Sequence, residues 1–469
     1  MSGCRVNAMR EVLSPIFCLA FLIAATGANG VTLDNGTIRL RLGIGADATP
    51  VIEDAVWAGT QQPIFTGAGA GGLRAWAPEG LMPSDAARGA AQWRVSEDAV
   101  FQRAEADRDL ADGLRLTWVV ELAKHGSLFR MSARMSNEGA AAQAIEWFPC
   151  WSARWTAPRG FESLKWWNAL SYAEVERPLA PGEELRLGSR LHSSDPESRK
   201  DAVNPYWVLA GPGGRLHFGL AWCGGWAATL RREGDAFAFD VRLPPEETEL
   251  VLQPGDFITG PVLSVTATAE PDEMHARANW MRQRAALAQA LYGGPEPAFF
   301  LTYNHWYSTG WNNAVTATFL RPQAAAMDPY GFDAFIVDWG WYTDDPEWTP
   351  HPKRYAPGEF EAILGTARDK GAIAGIWTEP QKVRGELLDL ASSDFTTRLL
   401  DHVAALRERY GIGWWKYDQR LFVEGSRSGV MRNVLAFHEA LQAVRRVQPD
   451  LRIENCQSGG RMINEYTVL

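Results

Sequence analysis

The chain has 469 residues, and its 46 Lys and Arg against 56 Asp and Glu give a formal charge of −10. That length exceeds what one hydrophobic core ordinarily organises, so two domains are expected. The acidic balance argues against nucleic acid as a partner. No P-loop or glycine fingerprint follows a strand, so no phosphate-bearing cofactor has a seat and none is expected.

The first predicted element is a removable one. Arg5 and Arg10 precede an apolar run over residues 12–25, which Pro15 interrupts, and Thr26-Gly27-Ala28 offers a small-residue cleavage site. The run is short for a bilayer span. Residues 1–28 therefore read as a signal peptide, and the mature protein as exported, secreted or periplasmic, with no membrane association after cleavage. Cleavage leaves Cys150, Cys223 and Cys456, which have neither zinc spacing nor the look of a disulfide framework.

From residue 31 to about 265 the chain reads as short alternating strands divided by Gly, Pro and Asp turns. Residues 37–42, 113–120 and 237–243 all alternate apolar and polar side chains. Such a series predicts an antiparallel β-sandwich over residues 31–270. A helical rhythm up to Tyr292 and the stretch Gly293-Gly294-Pro295-Glu296-Pro297 mark residues 271–295 as a helical linker.

Beyond Pro297 the rhythm changes. Apolar strand candidates begin near Ala298, Phe332, Gly371, Ile412 and Leu451, which lie 34, 39, 41 and 39 residues apart. Helical stretches over about 314–328, 359–370, 393–410 and 429–447 separate them. This is the cadence of βα units. A doubly wound sheet shares the cadence, but functional-looking residues at every strand tip favour a barrel. The fold class is multidomain, β plus α/β: an antiparallel β-sandwich followed by an incomplete (β/α)8 TIM-type barrel over residues 296–469, with about five of the eight strands.

The first tip is Tyr303-Asn304-His305-Trp306-Tyr307 and the second Val337-Asp338-Trp339-Gly340-Trp341. The third is Gly375-Ile376-Trp377-Thr378-Glu379-Pro380, and the fourth ends in Lys416-Tyr417-Asp418. The fifth is Glu454-Asn455-Cys456-Gln457-Ser458-Gly459-Gly460-Arg461. If these strands are parallel neighbours, their tips share one mouth holding carboxylates, a lysine and indoles. Sugars suit such a cup, because C–H faces stack on indole and hydroxyls bond to charged groups. Singly, each motif is weak. Trp306, Trp341 and Trp377 also read as core aromatics, Asp338 as a helix cap, Cys456 as a small buried residue, and His305 as structural.

The ordered set resembles the melibiase-type α-galactosidases of glycoside hydrolase family 36, which share a clan with family 27. The resemblance implies a retaining, exo-acting α-glycosidase that hydrolyses terminal α-galactosides of oligosaccharides. Residue by residue, it implies that Asp418 is the nucleophile, that Lys416 and Asp338 bind sugar hydroxyls, and that Trp306 and Trp377 wall the pocket. It also implies that Cys456 and Gly459 line that pocket, with Arg384 a further polar contact. No metal or organic cofactor is implied, and a homo-oligomer is compatible with the family.

Three departures bear on function. Trp339 stands where the family has a second aspartate, Tyr417 replaces a tryptophan, and Gln419-Arg420 replaces Met-Asn. The family's acid/base aspartate lies on the strand after the fifth tip, so none is named here and the chain is expected to be a fragment. Two other readings stay open: a catalytically degenerate carbohydrate-binding homologue, and a transglycosylase of the raffinose-synthase type.

Overall fold

The computed structural model describes residues 30–456, apart from 46–48, 68–72, 77–90, 146–147, 149, 157–159, 169–172, 190–202, 223, 244–249, 271, 294–299, 309–314, 344–346, 384–385, 388, 393 and 419–428. Among the described residues, strands β1 (Val31–Asp34) to β21 (Val262–Thr268) pair antiparallel and precede the first α-helix. They build one sheet of nine strands and one of ten, with a two-stranded ribbon beside them. Period-two patterning puts every second side chain inside. In Leu114–Ala123, for instance, Leu116, Trp118, Val120 and Leu122 are all buried. The two large sheets meet through aromatic rings. Trp155 stacks on Phe218 at 6.0 Å between centroids, and Trp207 on Trp226 at 5.7 Å.

Helix α1 (Glu273–Tyr292) follows, capped where the Asp272 carboxylate accepts from the His275 N–H at 2.9 Å. It lies on the ten-stranded sheet, where Trp280 packs against Tyr206 and Lys165 reaches Glu273 at 2.6 Å.

Strands β22 (Thr302–Asn304), β23 (Ala334–Val337), β24 (Ile373–Thr378), β27 (Trp414–Asp418) and β28 (Arg452–Cys456) then form a parallel sheet. A small antiparallel pair, β25 (Lys382–Val383) and β26 (Glu386–Leu387), sits in the loop after β24. Helices α2 (Ala317–Ala325), α3 (Glu359–Asp369), α4 (Phe395–Tyr410) and α5 (Gly429–Val447) connect the strands in turn. Spatial order equals chain order, with no reversal of the kind a doubly wound sheet has at its switch point. Among the described residues the sheet is open: its five strands do not close into a barrel. None of the helices among the described residues is long and apolar enough to cross a membrane.

Alternation along β27 sorts its side chains. Trp415 and Tyr417 are fully buried on the helix side, where Tyr417 packs on Phe437 of α5 at 5.4 Å. Trp414, Lys416 and Asp418 face the other way. Register carries that face across the sheet, since Trp377 lies opposite Lys416, Lys416 opposite Glu454, and Asp418 opposite Cys456. Gly375 makes the close strand approach feasible. A Cβ there would stand 2.8 Å from the Trp414 Cβ and 3.1 Å from its carbonyl oxygen.

Candidate active site

The centre of the helix-free face is Lys416. Its Nζ lies 2.8 Å from Asp338 Oδ2 and 3.2 Å from Glu454 Oε1, so one carboxylate comes from the neighbouring strand β28 and the other from the residue after β23, two strands away on the other side. Burial opposes the ammonium charge, but the charges of Asp338 and Glu454 outweigh it and raise the Lys416 pKa above the ordinary lysine value. Lys416 is therefore a permanent cation.

Asp338 is fixed from three directions. Asn304 Nδ2 donates to Oδ2 at 2.7 Å, Lys416 reaches the same oxygen, and the Trp339 N–H donates to Oδ1 at 2.8 Å. Its side chain is only 5% exposed. Below it, the buried His305 ring accepts the Asp338 backbone N–H on Nδ1 at 2.9 Å. Burial lowers the His305 pKa to about 4, against the pull of the Asp338 charge, so the ring is neutral at physiological pH. Asp338 caps no helix. Its carboxylate instead turns back on the N–H of the next residue.

Asp418 stands one pleat beyond Lys416, at the C-terminal end of β27. The Cys456 thiol donates to its Oδ2 at 3.6 Å, which ties the last residues of β27 and β28 together. The Cys456 side chain is buried.

Five of the expected site residues thus gather at one end of the parallel sheet: Asp338, Lys416, Asp418, Cys456 and Trp306. Trp306 is half-buried in a 3-10 turn over His305–Tyr307, and its ring meets Trp339 edge-on at 6.0 Å. Trp377 lies opposite Lys416 in the register of β24 and β27. Its indole is 4% exposed, lying beside Tyr342 and Trp348, so it packs as a core ring rather than as an open wall. Trp341 is likewise buried, stacked on Phe360 at 4.7 Å. Arg384 and Gly459 lie outside the described residues, as do Gln419 and Arg420.

Two residues that sequence reasoning left without a role belong to the cluster, Asn304 and Glu454. Asn304 also caps the turn carrying Trp306, accepting that residue's N–H at 2.9 Å. Glu454 accepts Trp414 Nε1–H at 3.0 Å with the oxygen that does not meet Lys416. Their signal in the sequence was position alone, since each sits in a tip motif beside a residue that had been singled out.

No protein-family model matches the sequence, and no curated protein matches it. Solved structures do. The galactosidase domain of an α-galactosidase–sucrose kinase, AgaSK, is 15% identical, with 94% of this chain and 72% of that chain covered and a TM-score of 0.67. The GH36 α-galactosidase AgaB from Geobacillus stearothermophilus is 13% identical, with 95% and 74% covered and a TM-score of 0.69. A GH36 α-galactosidase AgaA variant from the same organism, solved in complex with stachyose, is 14% identical, with 94% and 74% covered and a TM-score of 0.69. At such identities the likeness is one of fold.

Proposed function

We propose that this protein is a retaining, exo-acting α-glycosidase that removes terminal α-galactosyl units from oligosaccharides. The observation that carries the reading is the convergence of Asp338, Lys416 and Glu454 beside Asp418, at the C-terminal end of parallel strands. The fold likeness to α-galactosidases supports it, as does the oligosaccharide named with one of them.

In this reading Asp418 attacks the anomeric carbon. The bond from that carbon to the leaving oxygen breaks as the bond to the carboxylate forms, and the leaving oxygen takes up a proton; water then attacks the same carbon, gives up a proton and breaks the ester, which frees the sugar and restores Asp418. Two carboxylates paired with one lysine, and a third at Asp418, leave the site negative, which favours the positive charge that develops on the sugar in the transition state. The thiol bond from Cys456 orients the nucleophile. The parallel sheet is then a stretch of β/α-barrel wall within residues 296–469, residues 31–270 form the β-sandwich domain and 271–295 the linker, and residues 1–28 direct export.

A ring-fluorinated α-galactosyl fluoride tests the nucleophile directly, because fluoride departs without needing a general acid. The carbon–fluorine bond breaks, the ester to Asp418 forms, and the ring fluorine slows its hydrolysis. Mass spectrometry is expected to find one added glycosyl group on the peptide containing Asp418, and none in Asp418→Asn. An unlabelled protein, or labelling elsewhere, overturns the assignment. One observation favours a second reading, sugar binding without turnover: Trp339 packs on Trp306 where the resembling family has a further carboxylate. That reading predicts sugar affinity with no covalent adduct.

A further inference from the structure

The two carboxylates beside Lys416 are not equivalent. Asp338 has three donors on its two oxygens and a side chain 5% exposed. A carboxylate has about four acceptor sites, so little of Asp338 is left for a ligand, and what is left is buried. Glu454 has one donor on each oxygen, Lys416 on Oε1 and Trp414 Nε1–H on Oε2, and its side chain is 31% exposed. About one acceptor site on each oxygen is therefore open. Lys416 Nζ pairs with one oxygen of each carboxylate, and an ammonium has three N–H donors, so it can serve a further acceptor as well.

On the reading that this face binds a sugar, we infer that Glu454 and Lys416 together grip a vicinal pair of hydroxyls on the bound pyranose, and that Asp338 is the fixed anchor behind them. One hydroxyl donates to Glu454 while its neighbour accepts from Lys416. The 3.2 Å between Nζ and Oε1 sets the two groups side by side, as a vicinal diol requires. Trp414 holds the far oxygen of Glu454 so that the near one does not swing away, and Gly375 lets Trp414 sit close enough to do so. The pair supplies, from the fifth strand, a hydroxyl-binding carboxylate for a site where the second strand carries Trp339.

Calorimetric titration of the whole chain with methyl α-D-galactoside and each of its monodeoxy derivatives tests this. Glu454→Gln is expected to weaken binding of the parent sugar roughly tenfold or more, the usual worth of a charged hydrogen bond. The penalty is expected to vanish for the one derivative that lacks the gripped hydroxyl. Glu454→Asp keeps the charge and the fold but withdraws the carboxylate, so it should show a smaller penalty that vanishes with the same derivative. Asp338→Asn acts through Lys416 and should weaken every ligand alike. Equal affinity of wild type and Glu454→Gln for the parent sugar overturns the inference and leaves the proposed function standing. A Glu454 penalty that is the same for all derivatives also overturns it, because the residue would then act only on Lys416. A folded wild-type protein that binds none of these pyranosides removes the functional reading and the inference together.

Discussion

One ammonium held between two carboxylates makes Lys416 the residue on which the local structure turns. Burial penalises each of the three charges, and the arrangement is stable because they neutralise one another at hydrogen-bond distance. Removing the cation leaves Asp338 and Glu454 facing each other. Lys416→Met is expected to cost roughly 3 kcal/mol in urea unfolding. Asp338→Asn added to that background is expected to recover part of the loss, a coupling that a double-mutant cycle measures. Strictly additive losses would show that the ion pair contributes nothing. Tyr417 is a quieter case. Its side chain points to the helices and its hydroxyl donates to Asn455 Oδ1 at 2.6 Å, so Tyr417→Phe is expected to cost about 1 kcal/mol of stability. Sugar affinity in the same variant is expected to match wild type, and a large loss of affinity would place the ring in the site after all. Sequence singled out Lys416, Asp338 and Asp418 because their side-chain chemistry is conspicuous at strand ends. It left Glu454 without a role, because that role depends on β28 pairing with β27 in the register that sets Glu454 opposite Lys416. Trp377 shows the converse. Nothing in Trp-Thr-Glu-Pro announces that Tyr342 and Trp348 lie against the indole.

Among the elements, the helices were the most legible, and their ends were corrected by caps. The helix expected over 314–328 begins at Ala317, because Thr316 adopts an extended backbone and accepts the Phe319 N–H on its hydroxyl. The one expected over 393–410 begins at Phe395 and stops where Gly411 takes φ 62°, a left-handed conformation that suits glycine. Strand β22 covers Thr302–Asn304, while Ala298, where a strand was expected to begin, lies outside the described residues. Gly375 is the element-scale feature that sequence shows but does not explain. A methyl group there meets Trp414 from a strand held by five residues of parallel pairing to β28, so the neighbour has little freedom to move. Gly375→Ala is expected to destabilise the protein by roughly 1–3 kcal/mol, the usual cost of overpacking. Because the strain lands on Trp414, whose indole holds Glu454, the same variant should also weaken sugar binding. Unchanged stability in a denaturant titration would show that β24 and β27 separate easily, and the tight packing assigned to them would fall.

At the scale of the whole molecule, buried or half-buried neutral histidines link both halves of the fold to pH. Burial lowers His217, in the ten-stranded sheet, to about 3, and in the parallel-sheet half it lowers His305 and His402 to about 4 and His438 to about 3. An unfolded histidine takes up its proton near pH 6.5. Between that value and about 4 the unfolded chain therefore binds more protons than the folded one, so stability falls as pH falls through this window and is level above it. Each histidine contributes up to about 1.4 kcal/mol per pH unit. Carboxylates held below their usual range, such as Asp98 and Asp107, lose their contribution only on the acid side of that window, below about pH 4. The interval from pH 6.5 to 4.5 thus isolates the histidines. The rhythm of the sequence separated the two halves correctly as antiparallel and parallel. It did not show which histidines would be enclosed, since enclosure depends on how sheet faces and helices meet. His402, for example, reaches Thr378 Oγ1 across the α4–β24 contact at 3.1 Å. Thermal melts at pH 8.5, 7.5, 5.5 and 4.5 are expected to agree at the first two values and to fall steadily at the last two. The fall should be shallower in His438→Leu, where one proton-binding group is gone. A melting temperature constant down to pH 4.5 would mean that these rings exchange protons freely in the folded state, and the tight enclosure of His305 beneath Asp338 would fall with it.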